Sequence, residues 1–383
     1  MLATFLSAAF AQSQQVQVML LDLRSGKVEQ LTHLSSGNAA NPAFTHNGKY
    51  VTYEIYNRPS LDPPFDLEPI TFGIVDVKNK NETDLCEFLG FECLEDDPFA
   101  GANDGRWSPN GNYLLFDGLN KLQSDPPTFD PSLYYLTSDP LTSNLPTGEI
   151  QTLLEAKFDQ EEGRPLEGYI FADWSQDSEK VVFTHLGFEF FYTVSVSTFN
   201  IETEKITTVF EGTPLPLDPE VGTYTQERGY NATWSPNGQY IAYVFQKVKV
   251  EVEMKMDDEG NWEKIITETV LESNIRKIRV DDDGEPISDP VPLTADLEGK
   301  DIINEQPSWS NDSKTIVFQS NRPTDGENLE DYVPDYNLWT IPANGGDEPT
   351  LLLDESDTAD TDEWDPAFSK NGRWIVYVAP PIE

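Results

Sequence analysis

Short apolar runs alternate with polar breaks along the whole chain, and six ten-residue stretches repeat one order of aromatic, polar and aliphatic positions. They occupy residues 44–53, 107–116, 174–183, 234–243, 309–318 and 368–377, with first positions 59 to 75 residues apart. The first position is Phe44, Trp107, Trp174, Trp234, Trp309 or Phe368, and the tenth is always Tyr or Phe. The eighth is always Val, Leu or Ile, so positions eight and ten share one face of a strand. The second is Ser or Thr, the fourth Asn or Asp, and the fifth is Gly in four copies but Ser178 and Ser313 in two. A Ser-Pro-Asn-Gly order predicts a tight turn between antiparallel strands, with Gly where φ turns positive, so the two serines should be slightly strained. The Ser/Thr and Asn/Asp side chains then serve the turn backbone.

Each interval between copies reads as two further strands, for example residues 192–201 and 205–210 after the third copy. One repeat is thus four antiparallel strands, A to D, and six such units predict the blades of a β-propeller. The chain starts with a C–D pair, at residues 16–23 and 28–32, and ends with the A–B pair of the sixth copy. The sixth blade should therefore be assembled from both ends, which removes the exposed edges of an open seam. The fold class expected is all-β: one six-bladed propeller of four-stranded antiparallel blades over residues 16–383.

Composition narrows the partners. The chain has 383 residues, 25 Lys+Arg against 68 Asp+Glu, and a net charge of −43, yet aromatics make up 11% of it. That aromatic content belongs to a folded chain and not to a solvated acidic tail. The charge argues against nucleic acid and anionic membranes, and favours cations, cationic peptides or proteins. Residues 2–11 form a short apolar run ending Ala9-Phe10-Ala11 before a polar stretch, the pattern of a secretory signal, so residues 1–15 are expected to be its remnant and the protein periplasmic or extracellular. No stretch approaches the roughly 20 apolar residues of a membrane span. Cys86 and Cys93 are a candidate disulfide, with two free thiols as the alternative.

The fourth copy, Trp234 to Tyr243, followed a blade later by Asn337-Leu-Trp-Thr-Ile-Pro-Ala-Asn-Gly-Gly346, resembles the WD40-like repeat of the TolB β-propeller family. The resemblance extends over all six copies. It implies a periplasmic propeller that binds protein partners of an envelope system and carries a metal-ion site in its channel. The amino-terminal α/β domain of that family has no counterpart in the repeat pattern. Similar propellers cap prolyl oligopeptidases, but the G-x-S-x-G of a hydrolase domain does not occur here.

Connectivity places A–B and C–D turns on one propeller face, and B–C and D–A connections on the other. The latter are long, at residues 57–69, 117–131, 211–231, 319–335 and 354–365, and loops on a rigid scaffold commonly carry binding. They are also acidic. Candidate binding residues are Asp97, Asp104, Asp173, Asp357 and Asp360, and candidate ligands for a hard cation such as Ca²⁺ are Asp360, Asp362 and Asp365. A solvated surface tuned for solubility is the competing reading. Strand B of blade four runs on past Phe245 and returns through Trp262 to Leu271. Val248, Val250, Val252 and Met254 share one face of that ribbon, which should pack on a neighbouring blade or on a second subunit or partner. His33, His46 and His185 are scattered, and no catalytic motif can be read. The sequence thus favours an exported, non-enzymatic binding or scaffold propeller recognising a protein or cationic partner. A structural subunit of a surface assembly or filament, and a glycan- or peptide-directed hydrolase or lyase over the channel, are the alternatives.

Overall fold

Every copy of the repeat folds as the A–B hairpin of its own sheet, and the six sheets stand around a central channel. The computed structural model describes residues 15–56, 71–90, 99, 102–121, 128–138, 146–159, 165–256, 261–294, 302–324, 335–346, 348–353 and 362–382. Blade one runs Asn38–Phe44, Tyr50–Tyr56, Thr71–Asp76 and Glu82–Asp84 from the channel outward. Blades two, four and five repeat that order, while blade three adds two short strands to it, Lys157–Phe158 beside Pro165–Trp174 and Leu215–Pro216 beside Phe191–Asn200. Blade six closes the ring: Gln17–Asp22 pairs with Trp374–Ala379 over six residue pairs, from Gln17 opposite Ala379 to Asp22 opposite Trp374. Arg373 Nη2 and Nε donate to Asp22 Oδ2 at 2.5 and 3.0 Å across this seam, and those bonds hold the Asp22 carboxyl down at about 2.

Apolar residues that alternate along strands B and C fill the spaces between adjacent blades. Phe72, Ile74, Trp107, Leu114, Phe116 and Leu136 form one such layer, between blades one and two. The motif tryptophans also cross these spaces. Trp107 Nε1 donates to Thr52 Oγ1 at 3.1 Å, Trp174 Nε1 to the Arg106 carbonyl at 3.1 Å, and Trp309 Nε1 to the Thr233 carbonyl at 3.3 Å. Ser178 and Ser313 do adopt positive φ, at 61° and 58°. Their hydroxyls accept from Asn110 N and Asn237 N of the preceding blade's turn, at 3.1 and 3.0 Å, which offsets the backbone strain.

Two features depart from the sequence reading. The region of Cys86 is not simple loop: Leu85–Leu89 is a helical turn, capped by Asp84 Oδ1 accepting from Cys86 N at 2.8 Å and ended by Gly90 at φ 83°. Cys86 is disulfide-bonded, and Cys93, the chain's other cysteine, lies outside the described residues. The connection expected as a loop over 211–231 is largely strand, because Gly222–Trp234 extends strand A alongside the lengthened Tyr240–Met256 and Trp262–Arg279. On that three-stranded ribbon, Val248, Val250 and Val252 are buried under Leu215 of the same connection. Leu215–Pro216 pairs in turn with Phe191 and Tyr192 of blade three, so the ribbon's inner part packs against the edge of the neighbouring blade's sheet. Met254 and Trp262 stay exposed.

Candidate functional site: a carboxyl ring in the central channel

Strand A of every blade carries a β-bulge three residues before the motif aromatic. The bulged residues are Asn41, Asp104, Phe171, Asn231, Gln306 and Asp365, with φ between 45° and 53°. Asn and Asp enter this left-handed region more readily than other side chains, and they fill four of the six places. The bulge releases a main-chain N–H from its own ladder, and at five of the six bulges the preceding blade supplies a side-chain acceptor. Asp104 N donates to Glu54 Oε1 at 2.5 Å, Phe171 N to Asp117 Oδ2 at 2.6 Å, Asn231 N to Thr184 Oγ1 at 3.2 Å, and Asp365 N to Gln319 Oε1 at 2.7 Å. These acceptors all occupy the position just after the motif's tenth residue. In blade six that position is Val378, which cannot accept, and Asn41 N donates to Asp365 Oδ2 at 3.0 Å instead.

Five carboxyl groups, Glu54, Asp104, Asp117, Asp173 and Asp365, interact with the guanidinium of Arg106 near this level, and a sixth, Glu305, interacts with Asp365. Burial pushes Glu54 and Glu305 up to about 7, and Asp104 up to about 6 although Arg106 pulls it down. Asp117 is driven well above the carboxylate range by burial and by Asp104. Asp173 and Asp365 are also raised by burial; both are enclosed by protein yet keep some contact with the channel. For Arg106, burial opposes the charge, but Asp104, Asp173, Glu54 and Asp365 outweigh it and raise its pKa. Arg106 Nη2 lies 2.6 Å from Asp104 Oδ1, without hydrogen-bond geometry at that oxygen. Arg106 Nη1 and Asn231 Oδ1 are buried without a hydrogen-bond partner among the described residues.

Below the ring the channel holds a cavity of ≈ 230 Å³, walled by strand A of the blades and reaching the A–B turns at His46, Ser108, Ser235 and Lys370. Lys370 Nζ donates to the Pro109 carbonyl at 2.9 Å, and burial, then Lys370, lowers His46. The cavity therefore opens towards the A–B turns, on the face opposite the one that loop length singles out.

Asp104, Asp173 and Asp365 belong to the channel, where each also does structural duty. Asp173 Oδ2 accepts from Thr233 Oγ1 at 2.7 Å and Trp234 N at 3.0 Å of the next blade. Asp362 is separate from the ring and accepts from Tyr336 N at 2.8 Å. Asp97, Asp357 and Asp360 lie outside the described residues. Among the described residues no group of three or more His, Cys, Asp or Glu is placed to hold a metal ion. Glu54, Asp117, Glu305 and Arg106 were not singled out by the sequence. They sit in columns just outside the ten-residue motif, and extending the alignment by three residues backward and one forward exposes the bulge and its acceptor. The fold also brings His185 Nε2 to 2.6 Å from Glu167 Oε1 and its Nδ1 to 3.4 Å from Ser197 Oγ, which is fully buried.

No protein-family model and no curated protein matches the chain. Among solved structures it is similar to putative TolB from Agrobacterium tumefaciens, at 14% identity and a TM-score of 0.54, over 97% of this chain and 100% of that one. It is similar at 11% identity and a TM-score of 0.45 to TolB from Acinetobacter baumannii, over 96% of this chain and 64% of that one. A puromycin-hydrolysing peptidase from Mycobacterium tuberculosis matches at 14% identity and a TM-score of 0.41, over 90% of this chain and 44% of the peptidase. The fold and the ring of bulges define a six-bladed β-propeller. Its architecture is TolB-like, and at these identities the likeness is one of fold.

Proposed function

We propose that this is an exported, non-enzymatic binding propeller whose channel receives a cationic side chain of a protein or peptide partner. The observation that carries the reading is the gathering of six carboxyl groups, five of them interacting with one arginine, around a channel lined by all six blades. Asp104, Asp173 and Asp365 are the members that line the channel cavity, and they form the receiving surface. The acidic connections and the net charge of −43 supply a long-range field that concentrates basic partners at the molecule. A divalent cation such as Ca²⁺ would be drawn by the same field. Export rests on the apolar run at residues 2–11. In the described residues no helix is long and apolar enough to cross a membrane.

Calorimetric titration with an Arg/Lys-rich peptide and with an Asp/Glu-rich peptide of equal length tests the reading. Binding of the basic peptide alone, weakening as salt rises, is expected. Equal binding of both, or of neither, would overturn it. Turnover of any member of a glycan and peptide panel would overturn the non-enzymatic part.

A further inference from the structure

The blade-four ribbon leaves a second surface that the channel does not use. Trp262–Arg279 pairs along one edge with Tyr240–Met256, but among the described residues its main chain meets other partners only from Ser273 onward: Asn304 at Ser273, Leu293 and Thr294 at Ile275, Val291–Pro292 at Arg276 and Lys277, and Ile287 and Ser288 at Arg279. From Trp262 to Glu272 that outer edge has no main-chain partner among the described residues. The segment is rich in β-branched residues, which suits it to pairing. Beside it lies an apolar patch: Met254 is 42% exposed, Met256 57%, Trp262 63% and Ile266 38%, all on the ribbon face that farther in buries Val248 to Val252.

We propose that this edge pairs antiparallel with the same edge of a second copy of the chain, with Ile266 on the two-fold axis. Charge selects the register. An isologous antiparallel pair sets one residue opposite itself, and like charges directly opposite are unfavourable. Centring on Lys264 or Glu268 apposes like charges. Centring on Thr267 sets Ile266 against Glu268 twice, and centring on Ile265 sets Trp262 against Glu268 and Lys264 against Ile266. Centring on Ile266 alone places Lys264 opposite Glu268, Trp262 opposite Val270 and Ile266 opposite itself, all on the apolar face. Lys264 already bonds Asp218, and Glu268 is gripped by Arg228 through Nη1 at 3.0 Å and Nη2 at 2.7 Å. The contact therefore apposes two neutralised pairs and buries no bare charge. Its length also fits, since the pairing ends before Arg276, where Val291–Pro292 takes over the edge.

Sedimentation velocity of the full chain over a wide concentration range tests this. A concentration-dependent dimer is expected. Ile266→Lys and Ile266→Glu should each weaken it by about tenfold or more, and mixing the two in equal amounts should restore a dimer, because residue 266 faces residue 266. Circular dichroism and melting confirm that each variant is folded; should neither fold, Trp262→Ser at the ribbon tip must also weaken the dimer. A wild type that stays monomeric, a dimer unaffected by these changes, or a mixture no tighter than either variant alone would overturn the proposal.

Discussion

Glu54 lies in the channel wall with no exposed surface, and its carboxylate takes bonds from Asn41 Nδ2 at 2.9 Å, Asp104 N at 2.5 Å and Tyr56 OH at 2.6 Å. Burial nevertheless lifts it to about 7 from 4.5. The folded state then holds more protons than the unfolded one between those values, so stability falls as pH rises from about 4.5 to 7; Glu305 behaves alike and Asp104 does so over a lower window. His46 and His185, both lowered by burial, act in the opposite direction. Glu54→Gln keeps an acceptor for Asp104 N while removing the titration. Its melting temperature at about pH 8 should exceed wild type by the equivalent of roughly 1–3 kcal/mol, with the difference vanishing near pH 4. A second prediction concerns Gly111, whose φ of 78° and closeness to His46 leave no room for a Cβ, which would lie 2.5 Å from the ring. Gly111→Ala should lower stability by about 1–3 kcal/mol in chemical denaturation.

The ribbon of blade four shows how one element divides between core and surface. Val250 is wholly buried against Leu215, whereas Met254, four residues on along the same face, is 42% exposed. Val250→Ala should cost about 1–3 kcal/mol by leaving a cavity, and Met254→Ser should stay within about 0.5 kcal/mol in the monomer, both read from urea midpoints. The alternation of Val248 to Met256 made the apolar face legible in sequence. What covers it was not, because Leu215 lies in a Pro-rich stretch with no period, and Gly222–Trp234 becomes strand only through its partner. The Leu85–Leu89 turn was likewise missed, although Asp84 and Glu87 stand three apart as an N-terminal capping pair does.

At the scale of the molecule, the repeat and the split sixth blade were legible, because each column of the motif has a fixed place in a blade. Closure has a direct consequence: deleting residues 15–31 exposes the edge of Trp374–Ala379, and the shortened chain should elute as aggregate in size-exclusion chromatography while the full chain does not. The channel ring was legible only in part. Asp104, Asp173 and Asp365 stood out as acidic residues near strand A, but Glu54 and Glu305 look like ordinary strand carboxylates until six blades converge. Their raised pKa values mean that a cation entering the channel displaces protons held there. The most direct measurement is therefore calorimetric titration with the basic peptide near pH 6.5 in buffers of different ionisation enthalpy. Entry of a cation into the ring predicts net proton release, seen as an observed enthalpy that changes with buffer. Binding with the same enthalpy in every buffer would contradict it, and would place the partner on the outer acidic surface instead.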